Sequence, residues 1–204
     1  FLDGQSINFE YFVRIFRKLG FSDYKIINLI KKVKSKGSGT CNMIWENSKE
    51  FSRFLGYLLA EGRLPPQSSG QIWFVNSCEE MVQDYKNIVK RLFGLKVSVN
   101  EYRDNIYDVL SYSQVLRKIL NKFGMPCANT EYKELTNLFL SHSSNEELAE
   151  FINGLFSGDG YVGKHELEIA TKSKKLGFAI ETILLRLGIT FSSRWKVKMA
   201  TNSG

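Results

Sequence analysis

Cysteine, histidine and proline are scarce in this chain, whose 204 residues hold three, two and three of them. Cys41, Cys78 and Cys127 stand far apart without a CxxC pair, which excludes a disulfide framework and a zinc site of ordinary spacing. They read instead as small thiols in a reducing compartment. His142 and His165 are too few and too widely separated to form a metal cluster. No run of about 18 apolar residues is present, so no segment crosses a bilayer as a helix. Phe1-Leu2-Asp3 lacks the basic and then apolar build of a signal peptide, and an intracellular protein is expected. The chain also opens without Met, as an excerpt of a longer protein does.

What is present suits a folded protein. Apolar residues make up 43% and charged residues 24%, which excludes wholesale disorder and leaves room for a sizeable core. The net charge of +7 is unevenly spread: residues 1–40 and 164–204 carry +5 each, whereas 41–163 carry −3. Two basic ends around a mildly acidic middle suit a polyanionic partner.

Phe9, Phe12, Val13, Phe16 and Leu19 recur at spacings of three and four before Gly20, which predicts a helix with a glycine stop. Ser22 caps a second predicted helix whose apolar face is Ile26, Ile27, Ile30 and Val33. Its other face holds Lys25, Lys31, Lys32, Lys34 and Lys36. Such a pair is either a DNA-reading helix-turn-helix or a plain helical hairpin with a solvated face. Residues 35–40, rich in Gly and Ser, read as a linker.

The remainder repeats itself. Residues 54–62, FLGYLLAEG, form an apolar helical run closing on an acid and a glycine, and residues 152–160, INGLFSGDG, do the same with the acid 98 positions later. After each comes a strand pattern, Gln71 to Asn76 and Glu166 to Thr171, and then an amphipathic helix ending at glycine. These helices are expected over Glu79 to Phe93 and Lys174 to Leu187. Further strands are expected at Lys96 to Glu101 and Ile106 to Tyr112, then at Thr190 to Ser193 and Trp195 to Thr201. Two copies of one order imply pseudo-twofold symmetry within one chain.

Gly56 and Ala60 lie four apart on one helix face, as do Gly154 and Gly158 on the other, small enough for two helix backbones to pack closely. Glu61 and Asp159 then occupy the last turns, where the macrodipole is negative. Paired, the two carboxylates invite either a raised pKa or a cation between them. With no Cys or His nearby, hard oxygen ligation favours Mg²⁺, which keeps open positions for water and phosphate oxygens.

These two segments resemble the paired signatures of the LAGLIDADG homing endonucleases, over roughly residues 50–204, and most of all the endonuclease domains embedded in inteins. The resemblance implies an α+β fold of two pseudo-symmetric α-β-β-α-β-β-α halves, here preceded by a short helical segment. The expected boundaries are 1–40 for that segment, 41–145 for the first half and 146–204 for the second, incomplete at its end. It further implies a monomer that binds double-stranded DNA and cuts each strand with one acid, Glu61 or Asp159. Those acids, with Ala60 and Gly158 beside them, would bind Mg²⁺, for which Mn²⁺ can substitute. Glu61 stands where Asp is usual, keeping the charge and lengthening the reach.

A basic residue on the loop before the second motif is also implied, and Lys133 is the candidate. Counting back sixteen from the helix-ending glycines pairs Cys78 with Lys172, and Lys172 could contact the scissile phosphate. Sheet residues would meet DNA: Lys96 and Arg103 in the first half, Arg194, Lys196 and Lys198 in the second, with Arg63 and Lys164 near the motifs. Lys196 and Lys198 alternate with Val197 and Met199, as on a strand with one face buried. Two other readings stand beside the nuclease: a catalytically silent relative that binds DNA or RNA, as a maturase or regulator does, and a structural domain with an incidental basic surface.

Overall fold

A computed structural model describes residues 7–35, 39–43, 47–66, 68, 70–103, 105–127 and 130–196. The first helix, α1 (Phe9–Lys18), begins where the Asn8 side chain accepts hydrogen bonds from the Glu10 and Tyr11 amides. Gly20, at φ 81°, turns the chain into α2 (Asp23–Leu29), capped by Ser22. The expected helical face reaching to Val33 does not form. Ile30 is already extended, and β1 (Lys32–Lys34) pairs antiparallel with β2 (Thr40–Asn42). Alternation wins here: Val33 lies opposite the fully buried Cys41, while Lys32 and Lys34 point outward. The expected linker is therefore partly strand, with 36–38 outside the described residues. Ser35 donates a 2.6 Å hydrogen bond to Gln114, tying this ribbon to the first half.

That half follows as α3 (Lys49–Glu61), β3 (Gly62–Arg63), β4 (Gln71–Asn76), α4 (Glu79–Phe93), β5 (Val97–Arg103), β6 (Ile106–Tyr112) and α5 (Gln114–Lys122). Its strands make one antiparallel sheet in the order β3-β4-β6-β5. Ile72, Phe74 and Val109 turn inward, where α4 supplies Met81, Val82, Tyr85, Ile88 and Val89. Phe74 stacks on Tyr85 with ring centroids 4.3 Å apart. Gly94 ends α4 at φ 65°, a left-handed conformation that a side chain would strain.

A 3₁₀ turn at Thr130–Tyr132 and a short α6 (Asn137–His142) lead to α7 (Asn145–Asp159), which opens on a full capping box between Ser144 and Glu147. Then come β7 (Gly160–Val162), β8 (Leu167–Ile169) and α8 (Lys174–Arg186). The order α7-β7-β8-α8 repeats α3-β3-β4-α4. The two- and three-residue strands behind each acid carry too little sequence to show a period, and the pattern reading missed both. The strand expected over 166–171 shortens to its middle, and none forms over Thr190–Ser193. A strand persists only where a neighbour takes its ladder hydrogen bonds, and no described strand lies beside that segment. Of the strand expected over 195–201, Trp195 and Lys196 are not in a strand and the rest lies outside the described residues.

Helices α3 and α7 pack side by side, and small residues set how near they come. A Cβ on Gly56 would collide with the Phe151 carbonyl oxygen and the Leu155 amide nitrogen. One on Gly154 would collide with the Arg53 carbonyl oxygen. Farther along, a Cβ on Gly158 would stand 2.5 Å from that of Ala60. Arg53 spans the seam, 3.1 Å from Asp84 of α4 and 3.3 Å from Glu150 of α7.

Candidate functional site

The paired helices end together, so Glu61 and Asp159 arrive at one place from opposite halves. Each chain then passes straight into a strand, because the following glycine is extended and its N–H still bonds back into the helix: Gly62 to Leu58, Gly160 to Phe156. A side chain does not fit at either position; a Cβ on Gly62 would come within 2.7 Å of the Leu58 carbonyl oxygen. The acid-glycine order is thus a packing requirement as well as a chemical one.

Burial pushes the carboxyls of both Glu61 and Asp159 above their ordinary range, and the charge of Asp159 pushes Glu61 further. Lys133 opposes both shifts. Its ammonium is buried and donates to the carbonyl oxygens of Leu59 at 2.9 Å, Ala60 at 2.8 Å and Leu58 at 3.4 Å. Those carbonyls belong to the last turn of α3, where the dipole is negative; Leu58 also accepts from Gly62, while Leu59 and Ala60 lie past that last backbone donor. Burial lowers the Lys133 pKa to about 8, against the pull of Asp159 and Glu61. Ser173 holds the lysine from behind: its hydroxyl donates to the Lys133 carbonyl oxygen and also caps the Leu176 amide of α8.

The donor set is oxygen only: two carboxylates and the neighbouring backbone carbonyls. Among the described residues no cluster of three His, Cys, Asp or Glu side chains could hold an ion, and no side chain donates a hydrogen bond to either carboxylate. Two acids short of donors, Asp159 half-buried and Glu61 open to solvent, suit a hard divalent cation with a partly hydrated shell. The Ala60 carbonyl is already hydrogen-bonded to Lys133, whereas no such lysine bond to Gly158 is found among the described residues. The two expected backbone contacts are therefore inequivalent.

Arg63, at the outer face of β3, lies flat on Trp73 with its guanidinium carbon 3.2 Å from the ring centroid. Trp73 Nε1 donates to Asp108 at 3.0 Å. A cleft of about 340 Å³ opens here, lined by Arg63, Trp73, Val75, Arg103, Ile106 and Asp108. Lys96 is exposed just before β5, and Arg103 ends that strand. In the second half, Lys164 is exposed between β7 and β8, Lys172 before α8, and Arg194 and Lys196 in an irregular segment. Lys198 lies outside the described residues. The pairing of Cys78 with Lys172 is corrected by one position. Cys78 occupies the N-cap position of α4, without a side-chain cap bond, and Ser173 that of α8, so Lys172 corresponds to Ser77; counting from the glycines is off by one because α4 has 15 residues and α8 has 13.

The pattern reading missed Trp73, Asp108 and Ser173, although strand alternation and a Ser-x-x-Leu cap mark them. It also missed Arg117, buried under the β3–β4 loop, where it donates to the carbonyls of Gln71 at 2.9 Å and Pro65 at 2.6 Å.

The architecture is the LAGLIDADG fold. The homing endonuclease I-DmoI, in a structure of its mesophilic variants, superposes with a TM-score of 0.52 at 16% identity, over 69% of this chain and 77% of that one. I-DmoI in complex with DNA and Mn superposes at 0.50 and 17% identity, over 70% and 80%. Residues 146–203 match the family model of a LAGLIDADG-like domain. Among curated proteins, the chain is 24% identical over 156 residues to the replication factor C small subunit of Methanocaldococcus jannaschii, covering 76% of this chain and 8% of that protein. It is 24% identical over 145 residues to the glutamine–fructose-6-phosphate aminotransferase of the same organism, covering 70% and 13%. The chain thus spans less than a fifth of the length of these relatives.

Proposed function

We propose that this chain is a site-specific double-strand DNA endonuclease in which Glu61 serves hydrolysis of one strand and Asp159 the other. The observation that carries the reading is the meeting of two acids at the ends of α3 and α7, each held above its ordinary pKa with too few donors to settle it. The carboxylates of Glu61 and Asp159, with the Gly158 and Ala60 carbonyls, would hold Mg²⁺ or Mn²⁺, which supplies Lewis acidity toward phosphate and an acidified water. Lys133, fixed on the α3 terminus, puts a positive charge beside the position of a scissile phosphate and steadies charge developing there. Lys96, Lys164 and Lys172 carry exposed charge suited to the phosphate backbone.

An intein setting has separate support. A replication factor and an aminotransferase share no activity, yet each carries a stretch similar to this chain within a small fraction of its length. An inserted endonuclease accounts for that distribution.

A catalytically silent DNA binder is the second reading, favoured by the Ala60 carbonyl being occupied by the Lys133 ammonium. Cleavage decides between them. A duplex selected for binding from a randomised pool is incubated with the chain and Mg²⁺, and each strand is followed separately. Glu61→Gln and Asp159→Asn are each expected to slow one strand by about 100-fold or more while binding persists. Binding without any cleavage by the native chain would leave the silent reading standing.

A further inference from the structure

On the outer face of the first sheet, three adjacent strands bring an arginine, a tryptophan and an aspartate into one relay. Arg63 of β3 lies directly opposite Trp73 of β4, and Asp108 of β6 pairs with Val75, two residues along β4 on the same face, diagonal to Trp73. The inward neighbours Ile72 and Phe74 are fully buried, so these side chains belong to the opposite face. Among the described residues Asp108 accepts one hydrogen bond, from Trp73 to Oδ1, and Oδ2 has neither hydrogen bond nor ion pair. Arg63 is two residues beyond Glu61, which places the cleft beside the acids.

A carboxylate in that cleft is awkward for a protein that grips a polyanion. It cannot contact phosphate, and fixed by Trp73 it cannot swing away. One part of a duplex welcomes it: the exocyclic amino group of a base in the major groove. We propose that Asp108 is a specificity-determining residue that accepts a hydrogen bond from the N4 amino group of a cytosine, with Trp73 holding it in place and Arg63 suited to the O6 and N7 acceptors of guanine. Guanine and thymine at the cytosine position would set an acceptor oxygen against the carboxylate and are rejected.

This inference rests on the DNA-binding reading above, and the test separates the two. The 204-residue chain is used to select duplexes from a randomised pool in EDTA, where no cleavage follows. The native chain should enrich cytosine at one position by roughly 10-fold over guanine or thymine. Asp108→Asn still offers Trp73 an acceptor but adds a donor, and should erase or redirect that preference while leaving other positions unchanged. Trp73→Phe keeps a ring beneath Arg63 and removes the donor; it should weaken discrimination at the same position alone. It serves as an independent arm should Asp108→Asn misfold. Identical preferences in the native chain and both variants would overturn the assignment, as would Asp108→Asn tightening binding to every duplex equally, the mark of simple repulsion. No enrichment by the native chain would overturn the DNA reading itself, and the assignment with it.

Discussion

At the scale of single residues, the site is a balance of three charges. Glu61 and Asp159 have folded-state pKa values above their ordinary ones, so they favour the fold at low pH and lose that contribution as pH rises through the raised values. At neutral pH without metal they therefore work against stability. Glu61→Gln should raise the unfolding midpoint at pH 7 in EDTA, by on the order of 2 °C, and the gain should vanish near pH 4. Thermal melts at the two pH values check this. Lys133 has the opposite sign: its pKa is depressed to about 8, so its contribution is complete only above the ordinary value of 10.5 and is lost as pH falls through about 8. Lys133→Met removes that dependence but strips the last carbonyls of α3 of their donor, at a cost of roughly 1–3 kcal/mol at neutral pH. Urea unfolding of the two proteins at pH 7 and pH 9.5 should show the gap between them widening at the higher pH. The acids were legible in the sequence because they recur at matching places. Lys133 could be named only as a candidate, since its burial depends on a fold that brings a connecting segment across the end of α3.

At the scale of elements, the glycines divide into two kinds. Gly154 faces the backbone of Arg53, which has nowhere to move, whereas Gly158 faces the Ala60 Cβ and the Glu61 side chain. Gly154→Ala should therefore lie at or beyond the upper end of the roughly 1–3 kcal/mol that overpacking costs. Gly158→Ala should cost less stability, since the added methyl meets the Ala60 Cβ rather than a carbonyl oxygen, and proportionately more cleavage, because moving Ala60 away also shifts the adjoining Glu61. Equilibrium unfolding and strand-resolved cleavage of both variants test the ordering. Elements with strong internal signals were readable to the residue: β4 and β6 by alternation, α4 by its apolar stripe and terminal Gly94. The ribbon of β1 and β2 was not, because Ile26, Ile27, Ile30 and Val33 also satisfy a helical spacing. Only the partner strand, with Cys41 opposite Val33, breaks the tie. Asp108 escaped notice for a related reason: its meaning lies in Trp73, 35 positions away in sequence.

At the scale of the whole molecule, the two halves share a plan but not their details. The first has a four-stranded sheet, while the described part of the second has two strands. Such inequality suits a target whose half-sites differ. The uneven charge, +5 at each end of the sequence and −3 between, predicts strongly salt-dependent DNA binding. Affinity should drop by about 10³-fold or more between roughly 50 and 200 mM salt if six or more phosphates are contacted. Titrations of a labelled duplex across that range check it, and a flat response would count against a nucleic-acid partner. The pseudo-symmetry was legible because motif, strand and helix recur in the same order; the short strands and the inequality of the sheets became visible only in three dimensions.

Lys133 sits in the stretch joining the halves, yet its ammonium seals the end of α3 and its carbonyl is gripped by the cap of α8. Cutting the gene into interchangeable modules just ahead of the second motif would therefore put this lysine in the donor piece and its clasp in the recipient. Chimeras built to mix target preferences should transplant residues 130–136 and 173 as a matched set, or accept a frayed helix under the acid.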